Sequence, residues 1–100
     1  MSKVHNDLVD LIYDRLIKHH DDISKNIIYD SGELDILMVE GRRAIVIEVK
    51  SSDSARNRLK AYQQLAHAML DSPVASHEFY GFYCYWLDRQ HIGYGIERLV

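Results

Sequence analysis

Two apolar segments on either side of a single glycine constrain the fold more than any other feature of the chain. Residues 34–39 and 44–49 are rich in Ile, Leu, Val and Met, and Gly41 lies in the polar stretch between them. Glycine as the first central residue of a two-residue turn favours type II′, which joins two strands as an antiparallel hairpin. Both faces of the predicted strands are apolar, which is typical of a central strand pair buried between two layers.

The predicted turn also determines which residues face one another across the hairpin. With this turn, Asp35 faces Glu48 and Glu33 faces Lys50 at the open end. Opposed Cβ atoms lie about 4.5–5.5 Å apart, so we expect the carboxylates of Asp35 and Glu48 to lie side by side. Lys50 is two residues beyond Glu48 and therefore lies on the same face of the strand.

This pair of acids indicates a metal site. Opposed carboxylates repel each other, and burial also removes their hydration. A divalent cation such as Mg²⁺ relieves both penalties because it prefers carboxylate, carbonyl and water oxygens, and the strand carbonyl of Val49 could add a ligand. Lys50 beside such a site can activate water or neutralise charge on a phosphoryl group. The alternative is a structural salt-bridge cluster of Asp35, Glu48 and Lys50.

Hydrophobic periodicity predicts the other elements of the chain. We expect a single domain over residues 1–100, of the α/β class, with a central mixed sheet flanked by helices and the element order α-β-β-β-α-β-β. Besides the hairpin strands, the predicted elements are a helix over 4–18, a strand over Ile23–Tyr29, a helix over 55–70 and strands over 79–86 and 91–98. The residues expected on the core side of the second helix are Leu59, Tyr62, Leu65, Ala66 and Met69.

Two short motifs carry a family resemblance. Gly32-Glu33-Leu34-Asp35, followed by Ile47-Glu48-Val49-Lys50, resembles the core motif of the PD-(D/E)XK nucleases, with Leu34 in place of the proline. The closest groups are the RecB-type nucleases and the archaeal and viral Holliday-junction resolvases. The resemblance implies a restriction-endonuclease-like αβββαβ core and metal-dependent phosphodiester hydrolysis. Asp35 and Glu48 would be metal ligands, and Lys50 the catalytic lysine.

The same resemblance implies further site residues on the two helices. The family usually places an acid on the first helix, where Asp10 or Asp7 is our choice and His5 the alternative. Glu33 is a possible addition at the open end of the hairpin. On the second helix, Gln64 resembles the start of a Gln-x-x-x-Tyr pattern, although Ala68 stands at the tyrosine position.

Charge is distributed unevenly along the chain. The net charge of −3 weighs against a nucleic-acid partner, but residues 41–60 hold six basic and two acidic side chains, a local charge of +4. A solvated helix start would account for any one of these basic residues. Taken together they predict a DNA-binding segment whose contacts are Arg42, Arg43, Arg56, Arg58 and Lys60. Gln64, from the resemblance on the second helix, is a further expected contact.

The crowded aromatic strand at 79–86 leads us to expect a homodimer through this strand or its neighbour, with base stacking on exposed tyrosines as the alternative use. The lone Cys84 excludes an internal disulfide and suits a reducing compartment. Neither a leader nor a membrane-spanning run is apparent, so we expect a cytoplasmic protein, with a viral protein in host cytoplasm among the origins that fit.

The sequence therefore predicts a Mg²⁺-dependent deoxyribonuclease, with Mn²⁺ as a substitute metal. Two sites in a dimer would suit a structure-selective endonuclease of the junction-resolving kind. The alternatives are a RecB-like end-processing exonuclease and a non-catalytic nucleic-acid-binding module of the same fold. A partner protein that supplies targeting is left open.

Overall fold

A computed structural model describes residues 2–100 and shows an α/β arrangement with a five-stranded mixed sheet and two helices. The predicted order α-β-β-β-α-β-β is confirmed, and the ends of the elements shift by at most two residues. The elements are α1 (Lys3–Leu16), β1 (Ile23–Tyr29), β2 (Gly32–Glu40), β3 (Arg43–Lys50), α2 (Ala55–Asp71), β4 (Glu78–Asp88), a 3₁₀ turn (Arg89–His91) and β5 (Gly93–Arg98).

The strands lie in the sheet in their chain order, β1-β2-β3-β4-β5. The first three pair antiparallel, β3 pairs parallel with β4, and β5 returns antiparallel along β4. The parallel step needs a crossover connection, and α2 provides it. Among the described residues, no helix is both long and apolar enough to cross a membrane.

The register of the central hairpin is the predicted one. Leu37 pairs with Val46, and the ladder continues inward to Ile36 and Ile47. Gly41 has φ +61°, and Arg42, the other central residue of the turn, has no positive φ. A positive φ at the first central residue alone distinguishes type II′ from type I′, so the turn type is also as predicted.

Each helix covers one face of the sheet. From α1, Leu8, Val9 and Ile12 pack in the cluster that holds Ile36 and Val49. On the opposite face, the buried residues of α2 are Ala61, Leu65 and Ala68. Leu65 and Ala68 pack in the cluster that holds Leu34, Ala44 and Val46.

The predicted core face of α2 is only partly correct. Leu65 is fully buried as expected, whereas Leu59 and Tyr62 are 57% and 49% exposed. Small Ala61 and Ala68 face the sheet instead, over a layer in which Tyr83 is completely buried. The two small alanines allow the helix to lie close to a sheet that already carries this large ring. A leucine and a tyrosine facing the sheet would hold the helix farther away.

The aromatic strand 79–86 lies inside the sheet, as part of β4 between β3 and β5. Tyr83 and Cys84 are fully buried, and the Tyr83 hydroxyl donates to Asp53 at 3.1 Å. Trp86 is half-buried, and its indole N–H donates to the Val4 carbonyl at 3.0 Å. Much of the aromatic surface that led us to expect a dimer at this strand is thus covered within the chain.

Candidate active site

The open end of the β2–β3 hairpin forms one wall of a cleft of about 360 Å³. Pairing between the strands runs inward from the turn as far as Ile36 and Ile47, and the next residue on each side is an acid, Asp35 and Glu48. The structure thus places the two carboxylates together as predicted from the register. The cleft is lined by Ser2, His5, Glu33, Asp35, Glu48, Lys50, Ser51 and Gln64.

A local change in β1 and β2 turns the Asp35 side chain inward. The ladder between these strands skips Asn26 and Asp35, which would be partners in its register, and Asn26 has φ +55°. Asparagine tolerates this left-handed region better than most residues. At the same point β2 changes faces, because Leu34 packs with the α2 layer and Ile36 with the α1 layer.

Asp35 is 5% exposed, and both its contacts come from other elements. Its Oδ2 accepts the backbone N–H of Val49 at 2.8 Å and lies 3.3 Å from Nε2 of His5 on α1. These contacts hold the carboxylate in one orientation at the base of the cleft. Whether the Val49 carbonyl serves as a ligand stays a prediction.

Glu48 is the more costly of the two acids to bury. It is 2% exposed, and its Oε1 has no hydrogen-bond partner among the described residues. Loss of hydration raises the pKa of Glu48 well above its usual value, and the Asp35 carboxylate raises it further, while Lys50 acts in the opposite direction. An unpartnered buried carboxylate oxygen is unfavourable in a structural role and is well suited to bind a hard cation.

The donor set at the base of the cleft therefore fits a divalent metal. Asp35 and Glu48 supply the oxygen chemistry that Mg²⁺ prefers, and Mg²⁺ commonly retains several waters beside one or two carboxylates. Within residues 2–100, no group of three or more His, Cys, Asp or Glu side chains is arranged to hold a metal.

On α1, the structure brings His5 to the cleft and leaves Asp7 and Asp10 outside it. The Ser2 hydroxyl caps the helix by accepting the His5 N–H at 3.2 Å, and the hydrogen bond to Asp35 raises the pKa of the His5 ring. Asp7 instead pairs with Arg89 at 2.6 Å and also with Lys3. Asp10 pairs with Lys25 at 2.8 Å. The phase of α1 directs these acids toward other cations because Leu8, Val9 and Ile12 face the sheet.

Lys50 and Gln64 bridge β3 and α2 at the mouth of the cleft. The Lys50 ammonium donates to the Gln64 Oε1 at 2.7 Å. Gln64 is exposed on α2, whose start is fixed by Ser54, the hydroxyl of which accepts the Asn57 N–H at 3.0 Å. Gln64, which the sequence analysis proposed as a site residue, therefore holds the lysine next to the acid pair.

The basic segment is divided among separate places in the fold. Arg42 and Arg43 lie at the turn end of the hairpin, and Glu48 lies five positions after Arg43, roughly 17 Å along the strand. Arg43 is 3.6 Å from Glu78, and Arg58 forms an ion pair with Glu97. Arg56 is exposed in the first turn of α2 and lines neither cleft at this end of the sheet. The basic residues of the segment that do line these clefts are Lys50 and Lys60.

A second cleft of about 380 Å³ adjoins the first and shares Glu33, Lys50 and Gln64 with it. Its wall includes Lys60 and a stacked pair of rings, Tyr29 and His67, whose centroids are 6.3 Å apart. Sequence reasoning missed Tyr29. The signal available in the sequence was the short turn from Tyr29 to Gly32. In the structure, a Cβ atom at Gly32 would lie 2.6 Å from the tyrosine hydroxyl and so would displace the ring.

Two buried carboxylates, a lysine held beside them and an adjoining basic cleft thus occupy one end of the sheet. Comparison of the chain with family models, with curated proteins and with solved structures finds no match. The chemistry of the cleft is then the ground on which a function can be assigned, because an α/β fold by itself implies none.

Proposed function

We propose that this chain is a Mg²⁺-dependent deoxyribonuclease with a restriction-endonuclease-like core, in which Mn²⁺ can replace Mg²⁺. The observation that carries the proposal is the unpartnered, buried Oε1 of Glu48 beside the buried carboxylate of Asp35. Two such acids raise the energy of the metal-free fold, and a divalent cation would relieve both their repulsion and their lost hydration.

The proposal gives roles to residues at the base and the mouth of the cleft. Asp35 and Glu48 would hold the cation, with the Val49 carbonyl as a further ligand. A bound Mg²⁺ supplies Lewis-acid polarisation of a phosphoryl oxygen and lowers the pKa of bound water. Lys50 orients the attacking water or neutralises charge on the phosphate, while Gln64 positions Lys50 and His5 positions Asp35.

The two adjoining clefts favour internal cleavage over end processing. They meet at Lys50 and Gln64, so a strand held over Lys50 has room to continue toward Lys60. Lys60 and Lys50 would contact the DNA backbone nearest the scissile bond. Arg42 and Arg43 lie at the far end of the hairpin and would contact only a longer or branched substrate.

The test is a cleavage panel with linear, flapped, single-stranded, circular and four-way-junction DNA, each with Mg²⁺, Mn²⁺ or EDTA. We expect metal-dependent cleavage that includes the circular substrate. Lys50→Ala should lower the rate about 10²–10⁴-fold, the range typical of a positioned group that assists proton transfer or charge stabilisation. Lys25→Ala is the matched control, since Lys25 lies outside the cleft and pairs with Asp10.

Three outcomes would contradict parts of the proposal. DNA binding without cleavage in any metal indicates a non-catalytic binding module. Cleavage restricted to free ends indicates an end-processing exonuclease, and Lys50→Ala cleaving as fast as the wild type means that the site is misassigned. Mn²⁺ titration by calorimetry provides a readout besides activity, and Glu48→Gln should weaken Mn²⁺ binding at least tenfold because it removes one of two carboxylates.

A further inference from the structure

Helix α2 carries a second apolar stripe, which the described residues leave largely exposed. Its members are Ala55, Leu59, Tyr62, Ala66 and Met69, with Leu70 beside the last of them. Leu59, Tyr62 and Leu70 are 57%, 49% and 78% exposed, whereas Ala66 and Met69 are half-buried. This stripe is separate from the buried one, which consists of Ala61, Leu65 and Ala68.

The spacing of the exposed stripe is that of a helix-pairing seam. Successive members are separated by four, three, four and three residues, which is the a/d repeat of helices that pack side by side. Along it, the large residues Leu59 and Tyr62 lie between the small residues Ala55 and Ala66, and Met69 follows. An antiparallel pairing that sets a positions against d positions would place Tyr62 against the partner's small Ala66, and Leu59 against the partner's Met69.

The charges of α2 suit an antiparallel partner with the same sequence. Arg56, Arg58 and Lys60 lie in its N-terminal half, and Asp71 ends it. No acid occupies the first turn and no basic residue the last, which is the reverse of what the helix dipole favours. In an antiparallel pair, the C-terminal end of α2 in the second copy, which is acidic and carries the negative end of the helix dipole, lies alongside the basic half of the first copy. By symmetry, the basic half of the second copy lies alongside Asp71 of the first.

We propose that two copies of this chain pair through α2, antiparallel, along the exposed stripe. Self-complementary charge and the self-matching register favour a second copy over an unrelated partner. An apolar groove of about 340 Å³ on the opposite face of the sheet, lined by residues such as Ile45, Phe82 and Ile96, has no comparable charge pattern. The two-fold axis of such a pair is perpendicular to the plane of the helices, and the flank with Lys60 and Gln64, on the side of α2 opposite the stripe, points away from the partner in both copies.

Sedimentation of the full chain in the absence of DNA and metal tests this pairing independently of the nuclease proposal. We expect a dimer at about 100 µM, a concentration that detects micromolar self-association. Leu59→Glu should weaken it more than tenfold without loss of helix signal, because Leu59 is already exposed. Ile28→Glu is the matched control, since Ile28 is apolar, 81% exposed and outside α2, and it should leave the dimer intact.

Crosslinking locates the interface. Cys84 is fully buried, so Gln63→Cys introduces the accessible thiol of the chain at a position that flanks the seam near its two-fold axis. A short bismaleimide should join two copies of Gln63→Cys and fail with Ile28→Cys. A monomeric wild type, or a dimer that survives Leu59→Glu but dissociates in Ile45→Glu, would overturn the pairing, the latter by placing the contact in the groove.

Discussion

The charged residues at the two ends of the β2–β3 hairpin differ in their exposure to solvent. At the turn, Arg43 and its partner Glu78 have side chains that are 66% and 63% exposed, so water solvates both charges. At the open end, Asp35 and Glu48 are 5% and 2% exposed, and Oε1 of Glu48 has no hydrogen-bond partner within residues 2–100. The same strands thus keep charge in water at one end and remove it at the other, and the energetically unfavourable end is the one that borders the clefts.

Removing the charge at Glu48 should have the largest effect, since it should lower the cleavage rate and raise the stability of the metal-free protein. Glu48→Gln should lower the cleavage rate by about 10³-fold or more, because the metal loses a carboxylate ligand. It should also raise the melting temperature of the metal-free protein at pH 8. Burial raises the pKa of Glu48 in the folded state, so wild-type stability decreases as the pH rises above the usual glutamate pKa.

Melting in EDTA from pH 5 to pH 9 measures this effect. The difference between the wild type and Glu48→Gln should grow with pH and then level off above the folded-state pKa. Glu33→Gln is the matched control because Glu33 is an exposed residue that lines the same cleft. A constant difference in melting temperature between the wild type and Glu48→Gln at all pH values would show that burial does not raise the pKa of Glu48.

Asp35 tests the hydrogen bond at the base of the cleft. Asp35→Ala should lower the free energy of unfolding by about 1–3 kcal/mol, because the buried Val49 N–H loses its acceptor. Asp35→Asn keeps a side-chain oxygen at this position and should lose less. Urea denaturation checks both variants, and equal losses for Asn and Ala would mean that the hydrogen bond to Val49 does not stabilise the fold.

The turn should be sensitive to its backbone conformation. Gly41→Ala places a Cβ at φ +61°, and the left-handed region disfavours alanine by about 1 kcal/mol. Among the described residues, only Gly41 itself and its two chain neighbours have atoms within 4 Å of that Cβ, so the loss comes from the backbone alone. Gly41→Asn should recover part of the stability in the same urea titration, since asparagine tolerates this region, and failure to do so would place the strain elsewhere.

The smallest effects belong to the arginines of the turn end. Arg43→Ala should change stability by less than about 0.5 kcal/mol because exposed ion pairs contribute little. Arg42→Ala and Arg43→Ala should leave cleavage of short linear DNA unchanged, while Lys60→Ala should weaken DNA binding. A large effect of Arg43→Ala on short substrates would show that the substrate extends along the whole hairpin.

The hairpin and its register were predictable because both depend on neighbours in sequence. Glycine at the turn selects the turn type, and alternation along the strands then determines every facing pair, including Asp35 and Glu48. The choice among His5, Asp7 and Asp10 was not predictable in this way. It depends on the rotation of α1 over the sheet, and a change of one residue on a helix turns a side chain by about 100°.

The same limit explains α2 and the basic segment. Because α2 has two apolar stripes, periodicity alone could not show which of them packs against the sheet. Arg42 and Lys60 belong to the same basic segment of the chain. They nevertheless lie at different ends of the molecule, because a strand that rises about 3.3 Å per residue and part of the crossover helix separate them. Proximity in sequence was therefore a poor guide to proximity in the site.

By itself, the sequence determined the order of elements, the hairpin turn and the juxtaposition of the two acids, since local conformational preferences and strand alternation suffice for these. The tertiary structure decided that His5 reaches Asp35, that Gln64 holds Lys50 and that α2 shows Leu59 and Tyr62 to solvent. These features depend on how each helix rotates as it packs on the sheet, and that rotation is settled by the fit of side-chain volumes between layers that are distant in the chain.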